Sequence, residues 1–137
     1  MAELLVPEDG EPELVAELNT RLPDAGFPDA KAGTRVPAPR PAEFLRVVAT
    51  GGAERDLVTD EPLYVVEGFA TTEGGAQRLC AFGVAVLQAA GREGRIGGAT
   101  AYGVRVVALP ANLPMPSVPD RYRYTATISV ALRKTTV

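Results

Sequence analysis

Residues Arg121–Arg133 read RYRYTATISVALR, and no other stretch of the chain alternates so regularly. Tyr122, Tyr124, Ala126, Ile128, Val130 and Leu132 fall on one face at period two; Arg121, Arg123, Thr125, Thr127, Ser129, Ala131 and Arg133 fall on the other. Side chains of a strand point alternately to the two sides of a sheet, so one side of this strand belongs to a core and the other meets solvent, a helix or a partner. The remaining segments are to be placed against it.

Upstream, Glu43–Thr50 and Pro62–Ala70 are rich in Val, Leu, Phe and Tyr and read as two strands, with neither face purely polar, so both sides can be buried. The polar segment between them, with Gly51-Gly52 and five charges, reads as an exposed arm. Ala101–Leu109 reads as a further strand after a Gly-rich turn, and Ala30–Val36 as a short one. Tyr102, Tyr122 and Tyr124 alternate onto the expected core face. Thr71 or Thr72 can cap a helix that Glu73 supports in its first turn. Leu79, Phe82, Gly83, Val86 and Ala90 form its apolar stripe, Gly83 lets it approach a sheet, and Gly91 is the expected left-handed stop. A second helix spans Pro12–Leu22, with Leu14, Val15, Leu18 and Leu22 at helical spacing and Glu11 and Glu13 complementing the helix dipole. Prolines at 37–41 and 110–119 mark connectors. The order implies an α+β fold: a mainly antiparallel sheet, a long central helix packed across it and an N-terminal helix, in a single domain over residues 1–137.

Composition narrows the chemistry. The 137 residues carry 14 Lys+Arg against 17 Asp+Glu, one Cys, and neither His nor Trp. A chain of this size buries roughly two thirds of its unfolded surface, enough for one core without staples. Without His, neither a Ser-His-Asp triad nor a Cys-His dyad can form, and the commonest metal ligand is missing. No G-x-x-x-x-G-K-[ST] or G-x-G-x-x-G occurs, and no G-x-S-x-G surrounds Ser117 or Ser129. Cys80, beside the apolar stripe, reads as a small buried hydrophobe. Acid-base work could fall only to carboxylates, chiefly Glu54, Asp56, Asp60, Glu61 and Glu67, four of them in the arm. Glu67 shares a strand face with Val65 and Phe69 and reads as the buried partner of an arginine. No catalytic, cofactor-binding or metal-ligating residue is assigned, and the chain is read as a non-enzyme.

The longest uncharged runs, Leu79–Gly91 and Val106–Pro119, fall short of the roughly 20 apolar residues of a membrane span. The opening MAELLVPEDG lacks the basic and apolar regions of a secretory signal, so the chain is expected to stay where it is made. Charge is asymmetric. In residues 1–30, eight acids (Glu3, Glu8, Asp9, Glu11, Glu13, Glu17, Asp24, Asp29) face Arg21 alone, while from Arg92 onward seven basic residues face Glu93 and Asp120. Such asymmetry suits ordinary solvated faces, complementary contacts between copies, or a charged polymer. For nucleic acid the candidates are Arg105, Arg121, Arg123, Arg133 and Lys134; with the tyrosines turned inward, only sequence-blind contact to a phosphate backbone remains open.

Taken in order, several segments together resemble a family. They are the acidic leading helix; Gly33-Thr34-Arg35-Val36-Pro37; Phe44-Leu45-Arg46-Val47-Val48 running into Thr50-Gly51-Gly52; Leu57-Val58-Thr59-Asp60; the helix entry Thr71-Thr72-Glu73; and Pro110-Ala111-Asn112-Leu113-Pro114-Met115-Pro116 ahead of Arg121-Tyr122-Arg123-Tyr124-Thr125. In this order and spacing the chain resembles the tail terminator, or tail-completion, proteins of long-tailed bacteriophages, particularly those infecting actinobacteria. Twelve Arg to two Lys agrees with a GC-rich host. The resemblance implies a structural virion protein of the tail and neck, assembled in the host cytoplasm. It would form a homo-oligomeric ring, usually a hexamer, on the tail tube, end polymerisation of the tube protein and offer a docking surface to the head-tail connector or stopper. Genomic DNA would pass through the ring without sequence-specific binding, and no cofactor or membrane is implied.

On that reading, local chemistry singles out two interface segments. The arm Gly51–Glu61 carries Glu54, Arg55, Asp56 and Asp60, charges of both signs suited to steering and register. The connector Pro110–Pro119, with Pro110, Asn112, Pro114 and Pro116, is stiff and loses little entropy when a partner orders it. Other readings predict other surfaces. A head-completion or stopper subunit differs in the partner bound; a carboxylate-based ligand-binding or enzymatic domain needs a concave pocket with convergent acids; a nucleic-acid module needs a continuous basic stripe.

Overall fold

The computed structural model describes residues 2–137. The fold is α+β, a mostly antiparallel curled sheet with a long helix packed across it. In chain order the elements are β1 (Leu5–Val6), α1 (Gly10–Arg21), β2 (Lys31–Gly33), β3 (Phe44–Glu54), β4 (Thr59–Ala70), α2 (Glu73–Glu93), β5 (Arg95–Ile96), β6 (Ala99–Asn112), β7 (Tyr122–Arg133) and β8 (Thr135–Thr136). The main sheet runs β2-β3-β4-β7-β6-β5, with β2 parallel to β3 and every other pairing antiparallel. The terminal strands β1 and β8 pair with each other as a separate antiparallel ribbon.

One face of the sheet carries both helices. Leu45 and Val47 of β3, Tyr64 and Val66 of β4, Ala126, Ile128, Val130 and Leu132 of β7, and Ala101 of β6 meet Leu14, Leu18, Leu79 and Leu87 in one buried cluster. Each large aliphatic side chain so buried contributes about 1.5–3 kcal/mol, so this layer supplies most of the apolar driving force. The period-two reading of β7 holds from Ala126 to Leu132.

Helix α2 begins as its sequence suggests: Thr72 has extended backbone and its Oγ1 accepts from Gly75 N at 3.0 Å. Its end differs from expectation. Gly91 stays helical and buried, and the left-handed stop is Gly94, at φ 89°. Gly91 instead permits close approach, because a methyl group there would lie 3.0 Å from Val104 Cγ2 and 3.1 Å from Val104 N. Leu79, Gly83, Val86 and Ala90 of the expected stripe are buried, and the buried face is wider than that stripe. Cys80, Val84 and Leu87 face the core, whereas Phe82 is 40% exposed and packs edge-on against Phe27, with Arg78 over both rings.

Helix α1 is fastened by its acids as well as its leucines. Glu11 accepts from Ala49 N at 2.7 Å, Glu17 from Gly97 N at 2.9 Å and Glu13 from Gly98 N at 2.5 Å. These carboxylates hold the helix to β3 and to the β5–β6 turn, so much of the acidic N-terminal charge has an internal partner.

Several expected boundaries shift. The strand expected over Ala30–Val36 is confined to Lys31–Gly33. The arm is a paired hairpin: β3 and β4 continue past a bulge between Ala49 and Gly52 through Gly52↔Pro62, Ala53↔Glu61 and Glu54↔Asp60. Gly51 and Gly52, at φ 102° and 118°, supply the conformation that the irregularity needs. β6 runs on to Asn112, so the second connector starts at Leu113; Pro110 is accommodated where the register with β7 shifts between Ala108 and Ala111. The tyrosines are redistributed too. Tyr124 packs against the main cluster, Tyr122 is exposed at the start of β7, and Tyr102 is 49% exposed. A register shift between Ala101 and Gly103 lets Ala101 and Val104 both face the helices and turns Tyr102 away.

Candidate interface surface

The second face of the sheet carries no helix, and its side chains change character along its length. At one end Phe44 and Phe69 stack at 4.5 Å beneath Val118, with Val36 and Met115 alongside, so both proline-rich connectors close over this corner. Arg40 to Asp120 at 2.8 Å, and Arg121 donating to the carbonyls of Arg40 and Pro41, tie the connectors together. In the middle, Glu67 is buried and bridges two guanidinia. It accepts from Arg46 Nε through Oε1 and from Arg123 Nη1 through Oε2 at 2.6 Å, as the expected arginine pairing requires. Arg123 Nε also donates to Leu113 O at 2.6 Å.

The residues of the arm separate into different jobs. Arg55 and Asp56 sit at the hairpin turn, where Asp56 Oδ1 accepts from Val58 N at 3.0 Å and Thr59 N at 2.9 Å; these bonds hold its carboxyl below the usual range. Glu54 and Asp60 lie opposite each other on the helix-bearing side and both meet Lys134 Nζ, the second at 3.5 Å. Hydrogen bonding to Glu54 raises the Lys134 pKa, and Asp60 Oδ2 is buried without a hydrogen-bond partner. Lys134 was not readable as the arm's anchor, because 80 residues separate it from Glu54 and only the β4–β7 register brings them together.

The second expected segment is divided between strand and loop. Pro110 and Asn112 belong to β6, and Asn112 Nδ2 donates to Glu73 Oε2 at 3.2 Å; Pro114 and Pro116 lie exposed in the loop that follows. β6 is an edge strand for most of its length, because β5 covers only Ala99 and Thr100. Beyond that point it presents Val107 at 47% and Leu109 at 76% exposure, continuous in sequence with exposed Leu113. A long apolar strand edge is what monomeric sheets ordinarily cover, shorten or charge. The sequence reading singles out the arm and the proline-rich connector, and the exposed edge at Val107 and Leu109 adds to these a stretch whose signal is the uncharged run Val106–Leu109.

The five carboxylates considered for acid-base chemistry do not converge. Glu67 is held by two arginines, Asp56 by its own turn, and Glu54 and Asp60 by Lys134, while Glu61 lies on the opposite side of β4 from Asp60. Among the described residues no group of three or more His, Cys, Asp or Glu could hold a metal ion, and no helix is long and apolar enough to cross a membrane. Cys80 is fully buried, donates to Val66 O at 3.4 Å, and burial pushes its thiol up to about 12. A depression of about 470 Å³ is a shallow groove between the end of α1 and the exposed flank of α2, lined by Arg21, Asp24, Phe82 and Ala89 among others. Neither protein-family models nor curated proteins give a match to this chain.

Proposed function

We propose that this chain is a ring-forming structural subunit of a phage tail. On this reading it caps the tail tube, ends polymerisation of the tube protein and presents the surface to which the head-tail connector docks. The order of segments that resembles the tail terminators supports the reading. The observation that carries it is the open outer edge of β6, with Val107 and Leu109 exposed beside an otherwise well-filled core. An edge of this kind on one side of a subunit, meeting a different surface of the next copy, makes a heterologous contact that closes into a ring when the rotation closes. Two contacts of about 800 Å² each would take roughly a fifth of the 7245 Å² surface. The exposed, charged hairpin tip at Arg55 and Asp56 suits register and steering.

The test is a tube-growth assay. Added to polymerising tube protein, the chain is expected to halt elongation and leave capped tubes of fixed length, visible by negative stain. Tubes that keep growing at saturating chain would overturn the terminator reading. If they grow while the chain still captures the head's connector, the protein is a stopper instead.

A further inference from the structure

At the hairpin end of the helix-free face two guanidinia meet one aromatic ring, and a third borders the depression beside it. The Arg55 guanidinium carbon lies 5.9 Å from the Tyr102 ring centroid, and Arg133 Nη1 donates to Tyr102 Oη at 3.4 Å. Arg105, in register with Ser129, borders with Arg55 and Tyr102 a depression of about 260 Å³ that is otherwise lined mainly by small residues, Gly103, Ser129 and Ala131. Arg105 and Arg133 have no carboxylate partner among the described residues, in contrast to Arg46, Arg121, Arg123 and Lys134, each of which is held by an acid. The acids nearby are Glu61, on the rim, and Asp56, which is engaged by two backbone N–H groups and lies 3.6 Å from Arg55.

We propose that Arg55 and Arg105, which line this depression, and Arg133, joined to it through Tyr102, form a phosphate-binding site, and that its ligand is the backbone of a nucleic acid. Guanidinium forks match phosphate oxygens in pairs, and three of them beside a depression lined mainly by small residues leave room for a tetrahedral anion. The depression is too shallow and too polar to enclose a base, which favours a polymer passing over the face rather than a bound nucleotide. With no groups arranged to read base edges, contact would be sequence-blind. The site does not depend on assembly and stands or falls separately from the proposed ring.

The test is fluorescence anisotropy with a labelled 20-base-pair duplex at 50 and 200 mM salt, using protein shown by native mass to be in a single state. With about three phosphate contacts, wild-type affinity should fall about 40-fold between the two salts; Arg105→Ala with Arg133→Ala should leave about a 3- to 4-fold fall and much weaker binding at 50 mM. Arg105→Lys with Arg133→Lys, which keeps the charge, should retain most of the salt dependence, and Arg92→Ala with Arg95→Ala should bind as wild type. Glu61→Gln should tighten binding severalfold. Three results would overturn the proposal: duplex binding indifferent to the double alanine change, inorganic phosphate or pyrophosphate bound at these arginines with no duplex binding, or displacement of the duplex by poly-glutamate charge for charge.

Discussion

The two faces of the sheet are built from alternate residues of the same strands, yet they serve different ends. On the helix-bearing side Val47, Val66, Ala126 and Ile128 are dry and close-packed under α1 and α2. On the other side Arg46, Glu67 and Arg123 make an ionic centre, with an aromatic corner at one end and, at the other, Arg105 and Arg133, which have no carboxylate partner among the described residues. Folding needs the first face, because its area provides the apolar burial that offsets chain entropy. Much of the second face is therefore left available for contact, and the exposed β6 edge and hairpin tip border it.

If that division holds, changes on the two faces should separate stability from association. The largest loss should follow Leu79→Ala, which opens a cavity under α2: about 3 kcal/mol in denaturant melts, or roughly 10 °C in melting temperature. Glu67→Gln should come next, at about 2–3 kcal/mol, because it leaves Arg46 and Arg123 partly buried beside a neutral group. A Glu67 variant as stable as wild type would show that the ionic centre is incidental.

Alkaline pH probes the dry face differently. Burial raises Cys80 from about 9 to about 12, and raises Tyr64 from about 10 to about 12, the latter with help from Asp9 and Glu11. Both groups keep their protons in the folded chain at pH values where the unfolded chain releases them. Their stabilisation is therefore complete below pH 9 and is lost as pH rises toward 12, at about 1.4 kcal/mol per pH unit for each group. Cys80→Ala should flatten most of the decline between pH 9 and 10, because unfolded Tyr64 begins to ionise only toward pH 10. The smallest effect on stability, within about 0.5 kcal/mol, should come from Val107→Lys with Leu109→Lys on the exposed edge. The same pair should abolish association, and loss of the fold instead would place those side chains in the core.

How much of this was legible follows from which signals are local. The alternation of Ala126, Ile128, Val130 and Leu132, the Thr72 cap and the pairing of Glu67 with arginine are all written within a few residues or in plain chemistry. Register is not. One irregularity at Ala101–Gly103 turns Tyr102 outward, and another at Ala49–Gly52 converts an expected loose arm into a hairpin. Gly91 and Gly94 are equivalent as letters; only the approach of Val104 shows which is needed for packing and which for the turn. Within the candidate surface, Arg55, Arg105 and Arg133 are each legible as charged, but only the sheet register and hairpin turn bring them to the neighbourhood of Tyr102.

The most direct test of a subunit that works by fitting its neighbours is the native mass of the purified chain across a dilution series, with and without the tube protein. The account predicts one closed multiple of the chain mass, reached alone or on the tube end, and single chains only for the variant with lysines at 107 and 109. Single chains at every concentration, with tube protein present as well as absent, would contradict it.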